Sequence, residues 1–155
     1  MKALILAIAV MFPSLIFAAD MLSVAARQVN VRSGPGSEYD VVWQAVRHYP
    51  LEVIDTDGNW IRVSDYVNDE GWIHKGLLSE TPAVVVVSEN ANIREGPGRE
   101  YDVLWIAAQE YPLKVLDTQE DWYKVSNGGA PLGWIHKSVT WGFATRPELE
   151  RQTPL

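Results

Sequence analysis

The chain of 155 residues contains no cysteine. That absence excludes disulfide staples, cysteine-ligated zinc and a thiol nucleophile. Positive charge is also scarce: 13 Lys and Arg stand against 20 Asp and Glu, giving a net charge of −7. An acidic surface repels phosphate polymers, so no nucleic-acid partner is expected. The same repulsion argues against anionic lipid heads and teichoic-type polymers. Only three histidines are present, and a metal site needs ligands that converge. No window carries a long 3.6-residue apolar period, so long amphipathic helices are not expected.

One apolar run is present, at the very start. Met1-Lys2 is a short basic opening, and Ala3 to Phe17 is apolar apart from Pro13 and Ser14. Ala18 and Ala19 then offer small residues for cleavage. The run falls short of the ~20 residues that span a bilayer. Residues 1–19 therefore read as a cleaved secretory signal peptide, cut after Ala18 or Ala19. The protein is expected to be exported, periplasmic or secreted, with no stable membrane insertion after signal removal.

What dominates the rest is a repeat. Asn30-Val31-Arg32-Ser33-Gly34-Pro35-Gly36-Ser37-Glu38-Tyr39-Asp40 returns as Asn92-Ile93-Arg94-Glu95-Gly96-Pro97-Gly98-Arg99-Glu100-Tyr101-Asp102. Trp43, Tyr49-Pro50-Leu51, Trp60 and Gly71-Trp72-Ile73-His74-Lys75 all return at the same offset of 62 residues without a gap. About half of the aligned positions are identical. A fixed period of this kind means two copies of one small module. The expected division is 1–19 signal, 20–80 first barrel, 81–83 linker, 84–144 second barrel and 145–155 tail. Domains of about 60 residues bury only about 60% of their unfolded surface, so tryptophan-rich packing or packing between copies has to help.

Within a copy, Val29 and Val31 alternate with Asn30 and Arg32, the period of a half-buried strand. Gly34-Pro35-Gly36 is a turn. Further strands are expected at 41–45, 51–55, 60–64 and 71–75, and at the corresponding places in the second copy. Val29, Val31, Val53, Ile61, Val63 and Ile73 are the expected core. Five short strands punctuated by Gly, Pro, Asn and Asp make an all-β fold: two tandem small antiparallel β-barrels.

Catalytic chemistry finds no foothold. No lysine follows Gly34-Pro35-Gly36 in phosphate-loop spacing. Asp40, Asp55, Asp65, Glu38 and Glu70 fall in or beside turns, where such side chains cap backbone amides. No serine or threonine lies in a nucleophile motif. The protein is expected not to be an enzyme and to carry no cofactor. His74 and His136 read as partly exposed structural residues beside Trp72 and Trp134.

The blocks Asn30 to Gly36, Leu51-Glu52-Val53-Ile54, Trp60-Ile61-Arg62-Val63 and Gly71 to Lys75, present twice, resemble the bacterial SH3-like domain family. The resemblance implies SH3-like β-barrels. Family members are commonly exported and often appended to cell-wall hydrolases, where they target peptidoglycan or its peptide cross-links; this chain is expected to stand without such a catalytic domain. SH3-type folds bind extended peptides on aromatic shelves. The expected ligand-binding residues are Tyr39, Trp43, Trp60, Trp72 and Arg32 in the first copy. In the second they are Tyr101, Trp105, Trp122, Trp134 and Arg94. The expected ligand is a peptidoglycan stem peptide or an extended segment of an envelope protein. The alternative is a structural or regulatory envelope interaction protein with no wall ligand. Trp141, whose counterpart is Ser79, is placed at the end of the second barrel or at the joint between copies.

Overall fold

The computed structural model describes residues 20–143. The signal-peptide expectation and the tail expectation fall outside these residues. The first copy comprises β1 (Met21–Val24), β2 (Gln28–Arg32), β3 (Val41–Val46), β4 (Pro50–Asp57), β5 (Trp60–Ser64), β6 (Glu70–His74), a single 3-10 turn at Lys75–Leu77, and β7 (Leu78–Ser79). The second comprises β8 (Ala83–Val86), β9 (Asn90–Arg94), β10 (Val103–Ala108), β11 (Pro112–Gln119), β12 (Trp122–Ser126), β13 (Pro131–His136), a 3-10 turn at Lys137–Val139, and β14 (Thr140–Phe143).

Each copy is a seven-stranded antiparallel sheet, ordered β3-β2-β6-β5-β4-β1-β7 and β10-β9-β13-β12-β11-β8-β14. The sheet coils round one core. Val24, Val29, Val31, Ala45, Leu51, Val63 and Ile73 meet there from six successive strands. The turn after β3 ties back to β1, with Val24 N–H donating to Tyr49 C=O and His48 N–H to Val24 C=O. Two elements differ from the five-strand expectation. Met21–Val24, read as a lead-in, is a strand, and a short closing strand follows the 3-10 turn in each copy. Val53 also falls short of the core: it is only partly buried, and Leu51 fills the centre. Ala83 already pairs with Lys114, so the connection between copies runs only over residues 80–82.

β8 is buried along its whole length. Alternate side chains on a strand face opposite ways, and here both ways lead into a core. Val84 and Val86 enter the second barrel's core, whereas Val85 enters the first barrel's core. Val87 and Trp141 pack on that same first core. The counterparts of Val85 and Trp141 are Ser23 and Ser79. These two serines bond to each other at 3.2 Å, and Ser23 donates to Thr81 C=O at 2.8 Å. The same strand pair is thus apolar where it faces a barrel and polar where it faces the connecting chain.

One pair of positions meets reciprocally across the joint. Tyr66 of the first copy donates to Glu110 of the second at 3.2 Å. The position equivalent to Tyr66 is Gly128, and it lies against His48, the position equivalent to Glu110. Residue i touching j while j′ touches i′ is the signature of an isologous, two-fold-like interface. His48 and Glu110 share a left-handed backbone, both at φ 67°. Tyr66 also lies against Trp141, ring centroids 6.5 Å apart, which places Trp141 at the joint.

Candidate functional site: a splayed groove on the second barrel

In each barrel one residue pair alone joins β2 to β6, or β9 to β13: Arg32 with Trp72, and Arg94 with Trp134. Beyond that bridge the strands diverge. In the second copy this opens a groove of about 250 Å³ lined by Asn90, Ala91, Asn92 and Arg94 from β9, Arg99 from the turn, Trp122 from β12, and His136, Ser138 and Val139 around the 3-10 turn.

Strand parity explains the lining. Ala91 and Ile93 point into the core, so Asn90, Asn92 and Arg94 share the other face. Trp122 and His136 are cross-strand partners, with rings edge to face at 5.0 Å. His136 is held by the turn it caps. Its Nδ1 accepts the Ser138 backbone N–H at 3.2 Å and lies 2.7 Å from Ser138 Oγ. An accepting Nδ1 puts the proton of the neutral ring on Nε2. His74 caps the first copy's turn in the same way, accepting from Gly76 N–H at 3.1 Å.

The two arginines of the repeated motif act alike. Arg32 donates to Tyr39 C=O at 2.8 Å and Arg94 to Tyr101 C=O at 2.9 Å. Each arginine, rather than the neighbouring asparagine, therefore secures the turn. The turn itself needs its glycines for space: a Cβ on Gly34 or Gly96 would sit 2.5 Å from the ring of Tyr39 or Tyr101. Gly133 is required for a different reason, φ +137° with Arg94 C=O close behind.

The expected site residues thus separate. Arg94 and Trp122 come together in the groove. Trp43 lines a second cavity of about 250 Å³ at the joint, with Gln44, Tyr49, Asp65 and Asp69 of the first copy and Glu110 of the second. Trp43 and Trp105 complete the two cores, edge to face with Tyr49 and Tyr111 at 6.2 and 5.3 Å. Burial foremost, then the charges of Asp65 and Glu110, drive the Tyr49 phenol far above its ordinary range. Tyr39, Tyr101, Trp60, Trp72, Trp105, Trp134 and Arg32 line neither cavity. Tyr39 and Tyr101 remain exposed on the outer surface. Sequence reasoning missed Arg99, Asn92 and His136 as groove residues. The available signal for Arg99 was its unlike counterpart, Ser37.

Several of the carboxylates have structural work. Asp65 Oδ1 accepts the Val67 and Asp69 amides, both at 2.9 Å. Asp55 and Asp117 each accept the next residue's amide at 2.8 Å. Glu70 pairs with Arg62. Among the described residues, no group of three or more His, Asp or Glu is placed to hold a metal ion, and no helix is long and apolar enough to cross a membrane.

Paired small barrels of this topology, each with a cross-strand Trp–His pair, define a tandem SH3-like protein. The chain belongs to the bacterial SH3 domain family, whose sequence pattern matches residues 25–80 and 87–142. It is 25% identical over 123 residues to the putative N-acetylmuramoyl-L-alanine amidase YrvJ of Bacillus subtilis, covering 72% of this chain and 24% of that protein. The chain therefore spans about a quarter of that relative's length. Among solved structures it is similar to an NlpC/P60 family protein from Bacillus cereus, with TM-score 0.38, 15% identity, and 79% of this chain and 56% of that one covered. It is also similar to NlpC2 from Trichomonas vaginalis, with TM-score 0.35, 16% identity, and 80% and 48% covered.

Proposed function

We propose that this protein is a non-enzymatic, exported binding module that recognises a peptidoglycan peptide. The observation that carries the reading is the second barrel's groove. An indole, an imidazole, two guanidinium groups and two carboxamides converge there on an open cleft of about 250 Å³. The likeness to a putative N-acetylmuramoyl-L-alanine amidase supports a wall ligand, and the engagement of the carboxylates in turns supports binding without catalysis.

The test is co-sedimentation of the purified chain with purified peptidoglycan, at low and at moderate salt. Retention that survives moderate salt, and that falls at least about tenfold in Asn92→Ala/Arg99→Ala, is expected. Both side chains are exposed, so the variant's circular dichroism should match the parent's. Wild-type-like retention by this variant would contradict the groove.

A second reading has its own observation. Val41, Val42 and Ile54, and their counterparts Val103, Leu104 and Leu116, are all exposed. Apolar side chains exposed at matching places in both copies favour an envelope-protein partner, with the barrels acting as a structural or regulatory adaptor. That reading expects no wall retention at either salt and one stable protein partner in envelope extracts.

A further inference from the structure

We infer that the second barrel's groove is a carboxylate site and that the equivalent face of the first barrel is not. The inference rests on the peptide-binding reading and narrows it: the module meets a peptide at a free carboxylate, and one copy does the recognising.

The groove's lining contains no acid. Its polar groups are rich in donors. Guanidinium groups only donate. Arg94 spends Nη1 on Tyr101 C=O and keeps its other N–H groups. The one ion pair among the described residues is Arg62 with Glu70, so neither Arg94 nor Arg99 is paired with a carboxylate. His136 presents Nε2–H, because Ser138 occupies Nδ1. Asn90 and Asn92 offer carboxamide N–H groups. A planar carboxylate matches the fork of an arginine and accepts from the remaining donors. Val139 and Trp122 add an apolar side suited to a small aliphatic residue next to that carboxylate. The attraction is local, since the chain as a whole carries −7.

The first copy has lost this arrangement by substitution. Ser37 stands where Arg99 stands, which removes one cation. Gln44 bridges the first copy's amides, donating to Asn30 Oδ1 at 2.8 Å and accepting from Gln28 Nε2 at 2.8 Å. Its counterpart Ile106 cannot bond, which leaves Asn90 and Asn92 free to turn to a ligand. The amides that satisfy one another in the first copy are open in the second.

The test is an NMR titration of the whole purified chain, following the Trp60 and Trp122 indoles and the His74 and His136 imidazoles. The probes are N-acetyl-D-alanyl-D-alanine, its C-terminal amide, and inorganic phosphate. The free acid should move Trp122 and His136 while leaving Trp60 and His74 in place. The amide should bind at least about tenfold more weakly, and Arg99→Ser should weaken the acid about tenfold without changing the amide. Ser37→Arg with Gln44→Ile should make Trp60 and His74 respond. Equal binding of acid and amide at Trp122 would overturn the carboxylate inference and leave the peptide groove standing. Phosphate binding more tightly than the acid at the same resonances would overturn it in favour of a phosphate-bearing ligand. No response to the acid would also overturn it, and wall retention measured in parallel then shows whether the peptide reading falls too.

Discussion

Val85→Ala should destabilise the barrel that Val85 does not belong to. Val85 is a residue of the second copy's β8, fully buried in the first copy's core. Truncation removes two methyl groups, worth about 0.8 kcal/mol each. A cavity term adds to this, because the two surrounding barrels relax only in part, so the total is about 2–3 kcal/mol. The clearest assay is native-state amide hydrogen exchange, read separately at Val63 and Ile73 of the first core and at Val125 and Ile135 of the second. If the joint makes one cooperative unit, exchange at all four should accelerate together, by about 30- to 150-fold. Acceleration confined to Val125 and Ile135 would refute the argument, since it would mean that Val85 supports only its own barrel. The matching change Ser23→Ala, on the side facing residues 79–81, removes a hydroxyl that bonds Ser79 and Thr81. It should cost only about 1 kcal/mol.

Other outcomes follow from single contacts. Gly96→Ala forces a methyl group into the Tyr101 ring and should cost about 1–3 kcal/mol, lowering the urea midpoint; the cost should shrink in a Tyr101→Ala background, where the ring is gone. Gly133→Ala combines the left-handed backbone with a clash on Arg94 C=O, and should cost more than Gly96→Ala in the same assay. His48 gives a pH dependence. Burial first, then the charges of Lys114 and Arg47, hold it below its ordinary 6.5. The unfolded chain therefore takes up this proton before the folded one. The contribution is fully present above pH 6.5 and is lost as pH falls below it toward the folded value. His48→Asn, which tolerates the positive φ, should flatten the slope of stability between pH 7 and 5; an unchanged slope would remove His48 as its source.

Much of the fold was legible because the repeat is exact in spacing. Trp60–Ser64 and Trp122–Ser126 were predicted to the residue, since alternation there is bounded by turn residues on one side and a charged or glycine-rich loop on the other. β1 was missed because Met21-Leu22-Ser23-Val24 shows no clean alternation. Its serine is buried against the connecting chain rather than in a core, a fact that only tertiary contact supplies. Val85 has the same cause: a β-branched run reads as a strand, but not as one shared between two barrels. Of the candidate site, Arg94 and Trp122 were visible as repeated residues. Arg99 was not, because the reading favoured positions where the copies agree. The groove's character lies instead where they differ, at Arg99 against Ser37 and Ile106 against Gln44. Trp43 and Trp105 are expected on the aromatic shelf from sequence, where nothing distinguishes a ring on the surface from one that caps a core. In the folded chain their rings close the core's corner against Tyr49 and Tyr111.

The measurement that bears most directly on the central claim compares the chain's retention on intact peptidoglycan with its retention on the same glycan after enzymatic removal of the stem peptides. Peptide recognition through the second barrel predicts retention on the intact wall at moderate salt and its loss on the stripped glycan. Equal retention on both would place recognition on the sugar strands and contradict the account, and no retention on either would leave an envelope protein as the partner.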